Sequence, residues 1–139
     1  MNQMRKIAGA LFLAGGLMTG IQTVAAHHSM SMYDKSKVVT LDGTVVELRW
    51  ANPHVMLVVS GKPADGDQAA TWVLETGSPS RLERRGIWSA TAMKPGDRVR
   101  VEINPHWESD NRTGRLWKAT LVDTGQEFET EYLDSPRRQ

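Results

Sequence analysis

The sequence predicts a small all-β domain with one short helix, arranged as an OB-like five-stranded Greek-key barrel. Three observations predict it. Five segments alternate apolar and polar residues with the period of a strand. A single short helix signal falls between the third and the fourth of them. The first segment, residues 38–50, has the length of the strongly curved opening strand of a small closed barrel. Three strands, a helix and two strands is the order of the oligonucleotide/oligosaccharide-binding (OB) barrel, in which the helix plugs one end. A small β-sandwich is the competitor, but sandwiches seldom place their only helix between strands three and four.

Each element follows from local chemistry. In residues 38–50, Val39, Leu41, Val45, Val46, Leu48 and Trp50 carry the apolar pattern. Asp42-Gly43 interrupts it and predicts a bend or bulge. Asn52-Pro53 is a turn signal, and residues 54–60 form a β-branched second strand. Residues 61–68 (Gly-Lys-Pro-Ala-Asp-Gly-Asp-Gln) read as a loop. Residues 70–75 are a third strand, with Trp72 and Leu74 on one face. Ser78 is positioned as an N-cap with Pro79 at the first helical position, and Gly86 ends the helix. Leu82 and Ile87 are the expected plug residues. Lys94-Pro95-Gly96-Asp97 is a tight turn into residues 98–104, where Val99, Val101 and Ile103 alternate with Arg98, Arg100 and Glu102. Residues 106–114 are a polar loop and 115–123 the last main strand. A short strand over 126–128 follows the Thr124-Gly125 turn. The domain proper spans 37–128, and the charged tail 129–139 is expected to fray.

The first 26 residues read as a cleaved export signal. Arg5 and Lys6 precede an uncharged apolar stretch over residues 7–23. Val24 and Ala26 supply the small residues that signal peptidase requires, so cleavage before His27 is expected. Cleavage before Ala26, using Thr23 and Ala25, is the alternative. Gly9, Gly15, Gly16 and Gly20 make the stretch a poor membrane span, which needs ~20 strongly apolar residues. The expected compartment is the periplasm, with no stable membrane anchor after cleavage. Residues 27–139 then remain, one domain by size. Loss of Arg5 and Lys6 takes the formal net charge from +1 to −1. A nearly neutral chain of mixed sign offers no electrostatic footprint for nucleic acid or an anionic membrane. There is no cysteine, which excludes disulfides, thiolate metal sites and thiol catalysis.

The four histidines carry the chemistry. His27 and His28 stand at the expected mature terminus, in an extended arm over residues 27–36. His54 closes Asn52-Pro53-His54, and His106 closes Asn104-Pro105-His106. The stiff Asn-Pro dipeptide would aim the imidazole after it, which reduces the entropy lost when a metal binds. Imidazole suits copper, zinc and nickel, and copper(II) favours a planar nitrogen set. If His27 is residue one, its amine and ring with His54 or His106 would form a T-shaped histidine brace. If Ala26 is first, the amine, two amide nitrogens and the His28 ring would form a square-planar site. Met30 and Met32 would share a face with His28 in an extended arm, and thioethers suit copper(I). Met30 and Met32 can equally be apolar plugs that pin the arm to the core.

Nothing else in the chain carries chemistry as clearly. Glu47, Glu75, Glu83 and Glu102 show no spacing that pairs two acids for acid–base work. Ser29, Ser78 and Ser80 lack a nucleophile-elbow context, and there is no glycine-rich phosphate loop. Trp50, Trp72 and Trp117 could form a stacking platform, but core packing is the commoner use of tryptophan on strands.

Ala26-His27-His28-Ser29, Gly43-Thr44-Val45, Trp50-Ala51-Asn52-Pro53-His54, Trp72, Glu75, Ser78-Pro79, Leu82, Gly86, Lys94-Pro95-Gly96-Asp97 and Val99 together resemble DUF6152, a bacterial exported family of unknown function. The resemblance implies export and a small β-barrel and supplies no activity. The expected function is a periplasmic metal carrier or sequestration protein, with copper as the metal and His27, His28, His54 and His106 as ligands. The alternative is a metal-free envelope accessory module that binds a protein partner or small ligand through a Trp-rich barrel face. A copper oxidase ranks last, because no spacing supplies a substrate cleft or a supporting acid.

Overall fold

The computed structural model describes residues 32–64, 66, 68–84, 86 and 88–130. The expected signal segment, His27, His28, Ile87 and the tail beyond 130 lie outside the described residues. The elements, in order, are β1 (Val39–Arg49), β2 (Met56–Pro63), β3 (Ala70–Glu75), α1 (Pro79–Glu83), β4 (Arg98–Pro105), β5 (Thr113–Leu121) and β6 (Glu127–Glu129). The sheet runs β3-β2-β1-β4-β5-β6, and a parallel β3–β5 pairing closes it into a five-stranded barrel. The expected all-β, OB-like architecture is therefore the observed one, with β6 added at the β5 edge.

Alternation places one side of every strand in the barrel interior. Leu41, Val45, Leu57, Val59, Trp72, Leu74, Val99, Val101, Ile103, Leu116 and Ala119 form that core. Two bulges let the strands coil. On β1, Val45 pairs with Val59 and Glu47 with Val58, so Val46 is the extra residue and is exposed. On β5, Ile103 pairs with Leu116 and Glu102 with Lys118, which leaves Trp117 as the extra residue. The bend expected at Asp42-Gly43 is not a bulge. Register runs unbroken there, with Gly43 opposite Gly61. Those glycines serve close approach instead: a Cβ on Gly43 would stand 2.4 Å from the Ser60 carbonyl oxygen.

The turn before β4 docks on the β1 bulge. Val45 N–H donates to Asp97 O (2.8 Å), and Gly96 N–H donates to Val45 O (2.9 Å). Gly96 holds φ +93°, a conformation open to glycine. The Lys94 backbone N–H donates to Asp97 Oδ2 (2.9 Å) and the Lys94 ammonium pairs with the other oxygen. These hydrogen bonds from Lys94 hold the Asp97 carboxyl below the usual carboxylate range.

The helix α1 is one turn. Ser78 is its N-cap residue, but its side chain makes no capping bond; its carbonyl instead accepts from Arg81 N–H (3.0 Å) and Leu82 N–H (3.1 Å). Pro79 opens the helix, and Leu82 is buried in the core as expected. The segment after the helix docks through Trp88. Its ring packs on Phe128 at 5.3 Å, and its Nε1 donates to Glu129 O (2.9 Å).

Leu82→Asp should abolish cooperative unfolding measured by circular dichroism. An unpaired buried charge costs several kcal/mol, a large part of the ~5–15 kcal/mol that holds a domain together. A wild-type melting curve in that variant would show that the helix is not docked on the barrel.

Candidate functional site

The outer face of the closure seam holds Asn104 and Arg115, two of the four buried polar side chains among the described residues. Strand pairing sets Met56 opposite Glu75, Glu75 beside Arg115, and Arg115 opposite Asn104. One row thus crosses β2, β3, β5 and β4 on the side facing away from the core. The loop after β1 ends at His54, and the loop after β4 begins at His106. In OB barrels the β2–β3 face and these two loops form the ligand surface.

The N-terminal arm lies across this row. Asp34 N–H donates to Pro105 O (2.9 Å) and Trp107 N–H donates to Met32 O (3.1 Å), which pairs Tyr33 antiparallel with His106. Asp34 then reverses the chain toward β1, its carboxylate accepting from Ser36 N–H (3.0 Å). Asn104 Nδ2 donates to Lys37 O (2.7 Å) and fixes the far side of that turn. Tyr33 is buried as a result.

Glu75 is the hub. One carboxylate oxygen, Oε1, pairs with His54 Nδ1, and Oε2 accepts from the Tyr33 hydroxyl (2.8 Å). Burial, followed by the bond to Glu75, raises the Tyr33 hydroxyl pKa above its ordinary value, so it remains a donor. Arg115 is 2% exposed. Burial lowers its pKa to about 10, while the charge on Glu75 acts in the opposite direction. The guanidinium stays charged at neutral pH and lies 5.9 Å from the Trp117 ring. Trp117 Nε1 in turn donates to Asn104 Oδ1 (2.6 Å).

This arrangement fixes the His54 tautomer. A carboxylate only accepts, so in the neutral ring the proton sits on Nδ1 and the lone pair on Nε2. The His54 side chain is 30% exposed. An imidazole with Nδ1 held by a carboxylate and Nε2 open is the form in which histidines ligate metals. His106 is held differently. Its ring meets Tyr33 edge-on at 6.3 Å, and its Nδ1 accepts from Glu108 N–H (3.0 Å). Its proton is therefore on Nε2, and ligation through that atom would sacrifice the Glu108 bond.

The two Asn-Pro-His histidines thus converge on one tyrosine, His54 through Glu75 and His106 through ring contact. No group of three His, Cys, Asp or Glu side chains able to hold a metal occurs among the described residues. The sequence reading marked Glu75 only as a candidate acid and sought an acidic partner for it. Its partner is a histidine, brought close by β2–β3 pairing that linear spacing does not display. Tyr33 and Arg115 gave no signal. The tryptophans do not share a surface: Trp72 and Trp88 are in the core, Trp50 packs against it, Trp117 faces outward, and Trp107 is 62% exposed beside His106.

Residues 16–116 match the model of a protein family described as a family of unknown function, DUF6152. No curated protein and no solved structure matches the chain.

Glu75→Gln should destabilise the domain by about 1–3 kcal/mol, because it weakens the bonds to His54 and Tyr33 and removes the negative charge that favours the buried Arg115 guanidinium. Glu47→Gln, which breaks the exposed pair with Arg49, should cost less than ~1 kcal/mol. Urea unfolding midpoints of the two variants provide the comparison. Equal midpoints would show that Glu75 does not neutralise Arg115.

Proposed function

The chain belongs to the DUF6152 family, and we propose that it is an exported copper-binding protein that carries or sequesters the metal through an N-terminal histidine and His54. The observation that carries this reading is the Glu75–His54 pair, which engages Nδ1 and so makes Nε2 the ring nitrogen available to a metal in the neutral, partly exposed His54. The arm supports it. Tyr33 is tied to the same carboxylate, and His28 stands four residues before Met32. At ~3.3–3.6 Å per extended residue, the four or five residues from Met32 back to His28 and His27 would span up to roughly 13–18 Å, which is the reach this reading requires. With cleavage before His27, the amine and ring of His27 and the His54 Nε2 supply three nitrogens for a planar copper(II) site. With cleavage before Ala26, the His28 ring and backbone nitrogens supply the set, and His54 stands beside it. His106 and Tyr33 stand together beside the Glu75 carboxylate. Carriage or sequestration suits a site whose acid, Glu75, is already committed to Tyr33 and His54. A metal-free accessory module is the second reading. Trp107, exposed on the loop beside the site, is the contact such a module would offer a partner.

The test uses the processed protein. Mass spectrometry of the periplasmic fraction should find a chain beginning at His27, and a mass that includes residues 1–26 would remove the free amine. Copper(II) should bind at one equivalent with nitrogen hyperfine structure in its paramagnetic resonance spectrum. His54→Ala should alter that spectrum and weaken binding by roughly 10–100-fold. An added Gly before His27 should also alter it, whereas in the Ala26-first arrangement His54→Ala leaves it unchanged. Affinity should fall as pH drops through the ordinary imidazole range, ~6.5, because protons compete for the ring nitrogens. Copper binding no tighter than that of a free peptide of residues 27–36 would reject the reading in favour of the metal-free module.

A further inference from the structure

A cavity of about 210 Å³ opens beside the Glu75 hub, between the arm and β2–β3, and Met32, Met56, Val73 and Tyr33 are among its walls. We propose that this cavity is a soft-cation subsite in which the Met32 and Met56 thioethers bind monovalent copper. The proposal deepens the copper reading above and rests on it for the identity of the metal in the cell.

Three observations converge on the subsite. The first is the residue types. Two thioethers from different parts of the chain, one from the arm and one from β2, line a single small space. Thioether sulfur selects soft, low-charge d10 ions such as copper(I) over hard divalent cations.

The second is packing. A methionine used as a plug fills its hole, because a gap forfeits dispersion contacts on one side. Met93 is 4% exposed and belongs to the core, although it also borders a wider cleft whose other walls carry no second methionine. Met32 and Met56 are only half-buried, and both border this one cavity.

The third is electrostatics. Glu75, the acid in the cavity wall, has both oxygens engaged, by His54 and by Tyr33. Arg115 is its neighbour across the β3–β5 seam. The one carboxylate in the cavity wall is therefore already shared between two partners, which lowers its value to a divalent cation relative to the thioethers' value to a soft one. The apolar wall adds to the discrimination, because stripping water from a doubly charged ion costs far more.

Position connects the subsite to the nitrogen set. Val55 is buried and pairs with Thr76 and Gly77, so the β2 alternation extends back to His54, which shares the outer face with Met56. The chain would then hold nitrogen donors for copper(II) and sulfur donors for copper(I) on one surface. No electron transfer is involved; each oxidation state is bound as it arrives.

Silver(I), a redox-inert d10 ion, is the probe. The processed chain, labelled with 13C at the methionine methyl groups, gives signals from Met30, Met32, Met56 and Met93. With one equivalent of silver nitrate, the Met32 and Met56 methyl signals should shift together, and Met93 should not. Met32→Leu and Met56→Leu conserve volume and cost less than ~1.5 kcal/mol of stability. Each should weaken silver binding about tenfold or more through loss of a soft donor, while the copper(II) spectrum stays unchanged. Shifts confined to Met30 and Met32 would overturn the proposal in favour of a chelate on the arm alone. Intact copper(II) binding without saturable silver binding would also overturn it, and would leave the function proposed above standing. Silver binding that depends on both methionines in a chain that takes up no copper(II) would uphold the subsite and reject the nitrogen site. Binding of neither ion would reject both.

Discussion

Closure of the sheet between β3 and β5 is the constraint on which the rest of this fold depends. An antiparallel meander of β-strands ends in two open edges, and this chain removes them by a short parallel seam: Val73 beside Thr113, Leu74 beside Gly114, Glu75 beside Arg115. Gly114, the seam partner of Leu74, also lets β5 lie close on β4, since a Cβ there would stand 2.7 Å from Ile103 Cδ1. Parallel strands require a long crossover, and the stretch containing α1, Trp88 and β4 provides it while plugging the barrel with Leu82. The seam also sets the Glu75 carboxylate beside the buried Arg115 guanidinium. A buried charge is tolerated only when a partner offsets its desolvation. Tyr33 and His54 then take the remaining capacity of that carboxylate, so the same closure that completes the barrel recruits the arm and the loop after β1.

Local patterns were legible where local chemistry decides. The sequence located β3 at its observed residues, β4 within one residue of its end, and the Pro79 start of the helix. It erred where one strand responds to another. Residues 61–63 carry Gly, Lys and Pro and read as loop, yet β2 continues through them because β1 is long enough to pair with them. The strand over 115–123 begins instead at Thr113, because the seam needs partners for Val73 and Leu74. Asp42-Gly43 looked like the interruption in β1. The apolar phase, however, slips from odd positions (Leu41, Val45) to even ones (Leu48, Trp50), and the bulge lies at that slip, on Val46. The same slip, from Leu116 to Ala119, marks the bulge at Trp117.

The site was half legible for the same reason. The repeated Asn-Pro-His pointed to His54 and His106, and the two loops connect both to Tyr33, His106 by ring contact and His54 through Glu75. What distinguishes them is which nitrogen carries the proton, and that depends on Glu75 in one case and on the Glu108 backbone in the other. Neither partner follows from spacing along the chain. The roles of Tyr33 and Arg115 likewise exist only once four strands share a row.

The anchoring of Tyr33 sets a length scale at the surface. On the proposed copper reading, His27 or His28 precedes the anchored Met32 by only a few residues in sequence, so its meeting with His54 would be intramolecular. For a short tether the effective concentration is on the order of millimolar. A second donor on such a leash need not be strong by itself, because avidity multiplies the two weak contacts. The leash counts in residues: each one inserted between His28 and Tyr33 dilutes the donor, and each one removed risks a tether too short to span the gap. The position of the anchor along the chain therefore acts as a tuning element, independent of the chemistry at either end.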